Sequence, residues 1–193
     1  MALRYVLGFL LVLGTLLSLG SRFAKAEIPT VERVDLAQYL GLWYEQLRIE
    51  NSFQDNEVEG SVGVCRNTTA EYSTLDDGRI QVKNTCYRNT SPSIAIAKAR
   101  VVEGSNNAKL KVNFTGIPAL EWLGIGDGDY WILALGPVNS DGLYSWALVG
   151  APGLDFGWVL SRTPNLAVED IEAALKVAES VGYDRNLFIG FRE

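Results

Sequence analysis

The chain has 193 residues, the size of one ordinary domain. Acidic residues outnumber basic ones, 23 to 17, which argues against nucleic acid or anionic lipid as an electrostatic partner. Histidine is absent, so the commonest general base, the commonest transition-metal ligand and the Ser-His-Asp and Cys-His nucleophile systems are all excluded. No catalytic residue, metal or cofactor is expected.

Residues 1–26 read as a secretory leader. Met1-Ala2-Leu3-Arg4 is a short basic start, and Tyr5 to Gly20 is an apolar run too short for a comfortable membrane span. Ala24-Lys25-Ala26 then offers a small-residue cleavage site before Glu27. The domain is therefore expected over 27–193. Its location is expected to be extracellular, or periplasmic in a bacterial host. In such an oxidising compartment Cys65 and Cys86, the only two cysteines, are expected to pair. The alternative is that one of them is a free catalytic thiol. Asn67-Thr68-Thr69, Asn89-Thr90-Ser91 and Asn113-Phe114-Thr115 are N-glycosylation acceptors.

Strand signals recur from residue 43. Trp43 to Ile49 is strand-like, and the polar Glu50–Glu59 stretch is a loop. Gly60 to Leu75 and Arg79 to Tyr87 flank Asp76-Asp77-Gly78, a hairpin turn signal. Ser93 to Val102 ends at the Glu103–Asn107 turn. In Ala108 to Thr115, the apolar Leu110, Val112 and Phe114 alternate with polar neighbours, as in a half-buried strand. Asp129–Leu135, Leu143–Gly150 and Phe156–Arg162 complete a set of eight. Short connections favour an antiparallel meander. From Leu166 to Val181 the residues Leu166, Ile171, Leu175, Ala178 and Val181 approximate one helical face, with Gly182 as a stop. Tyr183 to Phe191 can add a short terminal strand. Eight strands followed by one helix fit neither a βαβ fold nor an immunoglobulin-like sandwich.

The strings GLWYEQLRIENSF, LDDGRIQVKN, YWILAL, GWVLSRTPNL and GYDRNLFI carry a resemblance that covers the whole of 27–193. The chain resembles the lipocalins, within them the apolipoprotein D and bacterial outer-membrane branch. The resemblance implies an all-β fold: an eight-stranded antiparallel up-and-down β-barrel with a C-terminal α-helix packed on the outside. Gly41, Trp43 and Arg162 match the positions that close the barrel floor, where a guanidinium can lie across an indole face. One departure is Gly136–Gly142, which stands where the family has Thr-Asp-Tyr.

The resemblance also implies a function: a small hydrophobic ligand, such as a fatty acid, lysophospholipid, steroid, retinoid or pigment, bound and carried in the barrel. With Arg162 at the floor, period two turns Phe156, Trp158 and Leu160 inward. Trp131, Leu133 and Leu135 are expected to form the matching face of the sixth strand. Phe53, in the Glu50–Glu59 lid, completes the expected ligand set with Trp131, Trp158, Phe156, Leu160 and Leu133. Either face of the seventh strand, Tyr144 with Trp146 or Leu143 with Ser145 and Ala147, can point in. The apolar Gly116–Asp129 connection is expected at the open end, as a lip for ligand or for transient contact with a lipid surface. A monomer or weak dimer is expected. Two other classes remain open: a lipocalin-fold enzyme, isomerase or epoxide-handling, that uses a free cysteine, and a ligand-free β-barrel interaction module.

Overall fold

The computed structural model describes residues 27–55, 63–89 and 91–191. The leader assigned to residues 1–26 lies outside the described residues, as does the lid beyond Asp55. A helical turn α1 (Leu36–Tyr39) precedes strand β1 (Gly41–Ile49), and a second turn α2 (Ser52–Asp55) follows it. Strands β2 (Arg66–Thr74), β3 (Ile80–Arg88), β4 (Ser91–Val101) and β5 (Lys109–Asn113) lead to helix α3 (Pro118–Leu123). Strands β6 (Asp127–Leu135), β7 (Trp146–Gly150) and β8 (Gly157–Ser161) precede the long helix α4 (Val168–Ser180) and the short strand β9 (Phe188–Ile189).

Each strand from β2 to β8 pairs antiparallel with the next, β8 pairs with β1, and β1 pairs with β2, so the eight strands close into a barrel. The closing β1–β2 ladder spans only Gly41–Tyr44 against Thr69–Tyr72. At its other end β1 pairs instead with β9, and the amide of Asn67 in β2 donates to the Phe191 carbonyl at 3.2 Å. The C-terminal segment thus fills the seam where β1 and β2 diverge. The β2–β3 turn forms at the expected Asp76-Asp77-Gly78, with Gly78 at φ +82°, a conformation that costs glycine little.

Alternation sorts the strands into two cores. Inside the barrel lie Trp43, Ala70, Tyr72, Val82, Ala97, Ala99, Leu110, Ile132, Ala147, Val149 and Leu160. Outside it Ile49, Trp146, Leu148 and Val159 pack on Ala174, Leu175 and Ala178 of α4. Helix α4 is therefore amphipathic because it covers a sheet, and the Trp146 indole fixes it by donating to Asp170 Oδ1 at 3.1 Å. This settles the seventh strand: Ala147 and Val149 point in, and Trp146 points out.

One expected face is corrected. Trp131 and Leu133 belong to the outer core beneath α4, not to the interior. The pairings Ile132↔Val149 and Ala134↔Leu148 leave Leu133 as an extra residue, a bulge. Ile132 and Leu135 point in, while Leu133 and Ala134 both point out. Period-two counting back from Leu135 crosses this bulge and inverts.

Candidate functional site

The floor is built around Arg162. Its guanidinium lies 3.7 Å from the centroid of the Trp43 ring. It also donates to the carbonyls of Gln38, Tyr39, Leu40 and Leu42 at 2.7–3.0 Å. The Trp43 indole donates to the Tyr39 carbonyl at 2.8 Å. The short helix α1 thus ends with its carbonyls aimed at a cation, the favourable pole for positive charge. Burial pushes the Arg162 pKa down to about 10, which leaves it charged at neutral pH. Gly41 sits at φ +97°, and a Cβ there would lie 3.5 Å from an Arg162 Nη, so glycine suits the backbone at this crossing. Gly41, Trp43 and Arg162 meet as the sequence led us to expect.

Above the floor three tyrosines converge. The hydroxyls of Tyr39 and Tyr72 each lie within hydrogen-bond distance of the Tyr130 hydroxyl, at 2.7 and 2.9 Å. Burial raises all three phenols above their ordinary value, Tyr72 to about 12, so they stay protonated. Sequence reading missed this group. Tyr130 neighbours Trp131, and assigning Trp131 to the interior sent Tyr130 outside.

The mouth is organised by buried charge. Strand β1 has its own bulge between Glu45 and Leu47, which places both Glu45 and Arg48 on the inner side, opposite Leu160 and Trp158. Arg48 is fully buried and donates to Glu45 at 2.6 Å, to Asp55, and to the Cys65 carbonyl at 3.0 Å. Its guanidinium also covers the Phe191 ring at 3.5 Å. Gln54 donates to the other Glu45 oxygen at 2.8 Å and accepts from the Trp158 indole at 3.0 Å. Burial pushes the Glu45 carboxyl upward, opposed by the Arg48 charge and by the hydrogen bonds from Gln54 and Arg48. A second buried cation, Arg88, donates to the carbonyls of Gly63 and Phe53 at 2.5 and 2.8 Å. These bonds fold α2 across the mouth. Glu45 and Arg48 were missed because the bulge breaks the alternation of β1, and Gln54 and Asp55 because the Glu50–Glu59 stretch was read as a polar loop.

Three expected ligand residues gather here. Phe156 stacks on Trp158 with ring centroids 6.0 Å apart, and Phe53 lies 5.9 and 6.3 Å from the two. Phe53 and Phe156 are exposed, and Trp158 is half-buried. Leu160 faces the interior below them. Trp131, by contrast, lines an open groove of about 460 Å³ on the outer wall, with Lys109 stacked over its ring at 4.1 Å.

Cys65 and Cys86 are joined as a disulfide. The offset that their positions imply is taken up by a register shift between Arg66 and Thr69. Among the glycan acceptors, Asn89 is exposed and Asn67 half-buried. Asn113 is buried, and its amide donates to the Ile125 carbonyl at 3.0 Å and to Asp127 at 2.8 Å. A glycan on that nitrogen would break one of these bonds, so the expectation at Asn113 is corrected. The Gly116–Asp129 connection is also corrected. It does not rim the mouth: α3 lies on the outer wall, where Glu121 pairs with Arg79 beside the β2–β3 turn at 2.8 Å and with Lys98 at 3.2 Å.

Comparison with known proteins agrees with this geometry. A family model described as a lipocalin-like domain matches residues 34–192. The outer membrane lipoprotein Blc of Vibrio cholerae is 31% identical over 94% of this chain and 95% of its own. Temperature-induced lipocalin-1 of Arabidopsis thaliana is 32% identical over 83% and 80%, and mouse apolipoprotein D is 31% identical over 81% and 75%. Among solved structures, insecticyanin of the tobacco hornworm Manduca sexta superposes with a TM-score of 0.62 at 18% identity, covering 86% of this chain and 84% of that one.

Proposed function

We propose that this chain, which belongs to the lipocalin family, is exported from the cell and carries a fatty acid, lysophospholipid, steroid, retinoid or pigment in its barrel. The observation that carries this reading is the aromatic trio Phe53, Phe156 and Trp158 at the mouth, over an interior walled by Val82, Leu110, Ile132, Val149 and Leu160. The driving force is burial, on the order of 25 cal/mol per Å² of apolar surface taken from water. Stacking on the trio adds direction. The α2 turn, tied to Glu45 and Arg48, gates admission. We read the protein as a carrier rather than an enzyme, and the bonded state of both cysteines supports that reading.

Finer features follow the same reading. A secreted monomer or weak dimer, with glycans at Asn67 and Asn89 in a eukaryotic host, is consistent with their positions at the surface. Trp122 is 86% exposed beside exposed Leu123, Ile125 and Ile117, which supports a passing contact with a lipid surface through α3. The deciding experiment is native purification, solvent extraction and mass spectrometry. A stoichiometric lipophile supports the carrier. Reproducible recovery of an empty protein that also fails to bind Nile red supports a ligand-free module.

A further inference from the structure

The interior holds an unbalanced set of hydrogen-bond donors. Tyr39, Tyr72 and Tyr130 together own three O–H protons. Their two mutual bonds, at 2.7 and 2.9 Å, use two of them. Among the described residues no acceptor takes the third. Tyr39 and Tyr72 are buried, whereas Tyr130 keeps accessible surface. Tyr130 is turned inward from β6, opposite Leu110. When Tyr39 and Tyr72 both donate to Tyr130, the free proton is on Tyr130, and a phenol that accepts two such bonds is a better donor than a lone one, because each bond polarises the next. Below the chain lies the Arg162 charge, with Tyr39 packed against Trp43 at 5.1 Å between centroids. The floor therefore offers one proton and a positive field.

The mouth has the opposite character. There, among the described residues, Arg48 is paired with Glu45 and Asp55, and Arg88 is bound to backbone carbonyls. The described side chains it offers to a ligand are aromatic faces. We infer that the barrel selects lipophiles bearing a hydrogen-bond-accepting oxygen, a carboxylate or a carbonyl, and takes them oxygen end first onto Tyr130, with the apolar tail running up to Trp158. This inference rests on the carrier reading. A carboxylate and a neutral carbonyl share the acceptor chemistry and differ only in their response to Arg162.

The test is displacement of Nile red by hexadecanoate, methyl hexadecanoate and hexadecane, in the wild type and in Tyr130→Phe and Tyr72→Phe. Each variant removes one hydroxyl and keeps the ring, and a thermal melt checks its fold. Tyr130→Phe is expected to weaken hexadecanoate roughly tenfold, as loss of a bond to a charged group does. The ester is expected to weaken less, and hexadecane by under twofold. Tyr72→Phe, which shortens the hydroxyl chain, is expected to give a smaller loss of the same pattern. Equal weakening of all three probes would assign Tyr130 a packing role and overturn the inference. So would unchanged affinity for both oxygenated probes. Hexadecane displacing the dye while the acceptor selectivity is missing overturns only this inference. Failure of Nile red to bind the wild type overturns the carrier reading with it.

Discussion

The two ends of the barrel handle a buried arginine in different ways. At the floor, Arg162 has no carboxylate partner among the described residues: it is held by the carbonyls of the chain reversal at residues 38–42, by the Tyr144 carbonyl and by the Trp43 face. At the mouth, Arg48 is held by two side-chain carboxylates, Glu45 and Asp55. Backbone carbonyls at a helix end cannot titrate or swing away, so the floor is a fixed plug. Asp55, on the short α2 turn, can swing away from Arg48, while Glu45 is fixed in β1. The difference suggests why one end closes the barrel permanently and the other can admit a ligand.

The comparison can be broken at either end. The largest effect is expected from Trp43→Ala, which leaves a cavity in the plug and should cost roughly 3–5 kcal/mol in denaturant unfolding. A variant as stable as wild type would remove the plug from the account. At the mouth, Arg48→Met leaves Glu45 and Asp55 buried without their cation and should cost about 3 kcal/mol. Replacing Glu45, Arg48 and Asp55 together by apolar residues should recover most of that loss. If the triple variant is as unstable as the single one, the network contributes more than charge compensation.

Alkaline pH tests the tyrosines above the plug. Their folded pKa values lie above the unfolded value of about 10, and that of Tyr72 is about 12. Groups shifted this way contribute stability that is present below pH 10 and is lost as pH rises towards 12. Tyr183 is raised in the same direction, and Arg162, shifted down to about 10, runs the other way, one group against four. Stability should therefore fall as pH rises from 10 towards 12. Absorbance at alkaline pH should show four phenols titrating late, Tyr183 with the three of the trio, and Tyr72→Phe should reduce that number. Smaller still, Trp158→Ala should weaken a bound lipophile by roughly 1–3 kcal/mol with the fold intact. Titration against Val159→Thr, on the outer face, is the control. Trp122→Ser lies outside both ends and should change stability by under about 0.5 kcal/mol. It should lower retention on phosphatidylcholine vesicles, and unchanged retention would remove α3 from any lipid contact.

Much of the architecture was legible because it is local. The Asp76-Asp77-Gly78 turn, the period-two runs and the amphipathic Leu166–Val181 stretch each depend on residues close in sequence. The ends of the strands were less legible: β7 begins at Trp146 rather than Leu143, and β5 stops at Asn113. The inward direction of Trp158 and Leu160 was legible where β8 continues unbroken to Arg162. The same reading failed at Trp131 and Leu133, because a bulge changes parity without leaving a sequence signature.

The sequence by itself determined an antiparallel set of eight strands followed by one amphipathic helix, and the resemblance to the lipocalins added barrel closure and the floor positions Gly41, Trp43 and Arg162. The strand and helix patterns survive small errors in register, whereas the pairing of the two cysteines was an expectation that the structure decided. Only the tertiary structure decided which way individual side chains point beyond a bulge, that Asn113 and Glu121 turn into internal bonds, and that Glu45, Arg48, Tyr72 and Tyr130 face the interior. In a strand the inner and outer faces are one residue apart, so a single extra residue moves a side chain from helix to cavity. Strand pairing fixes where that residue sits.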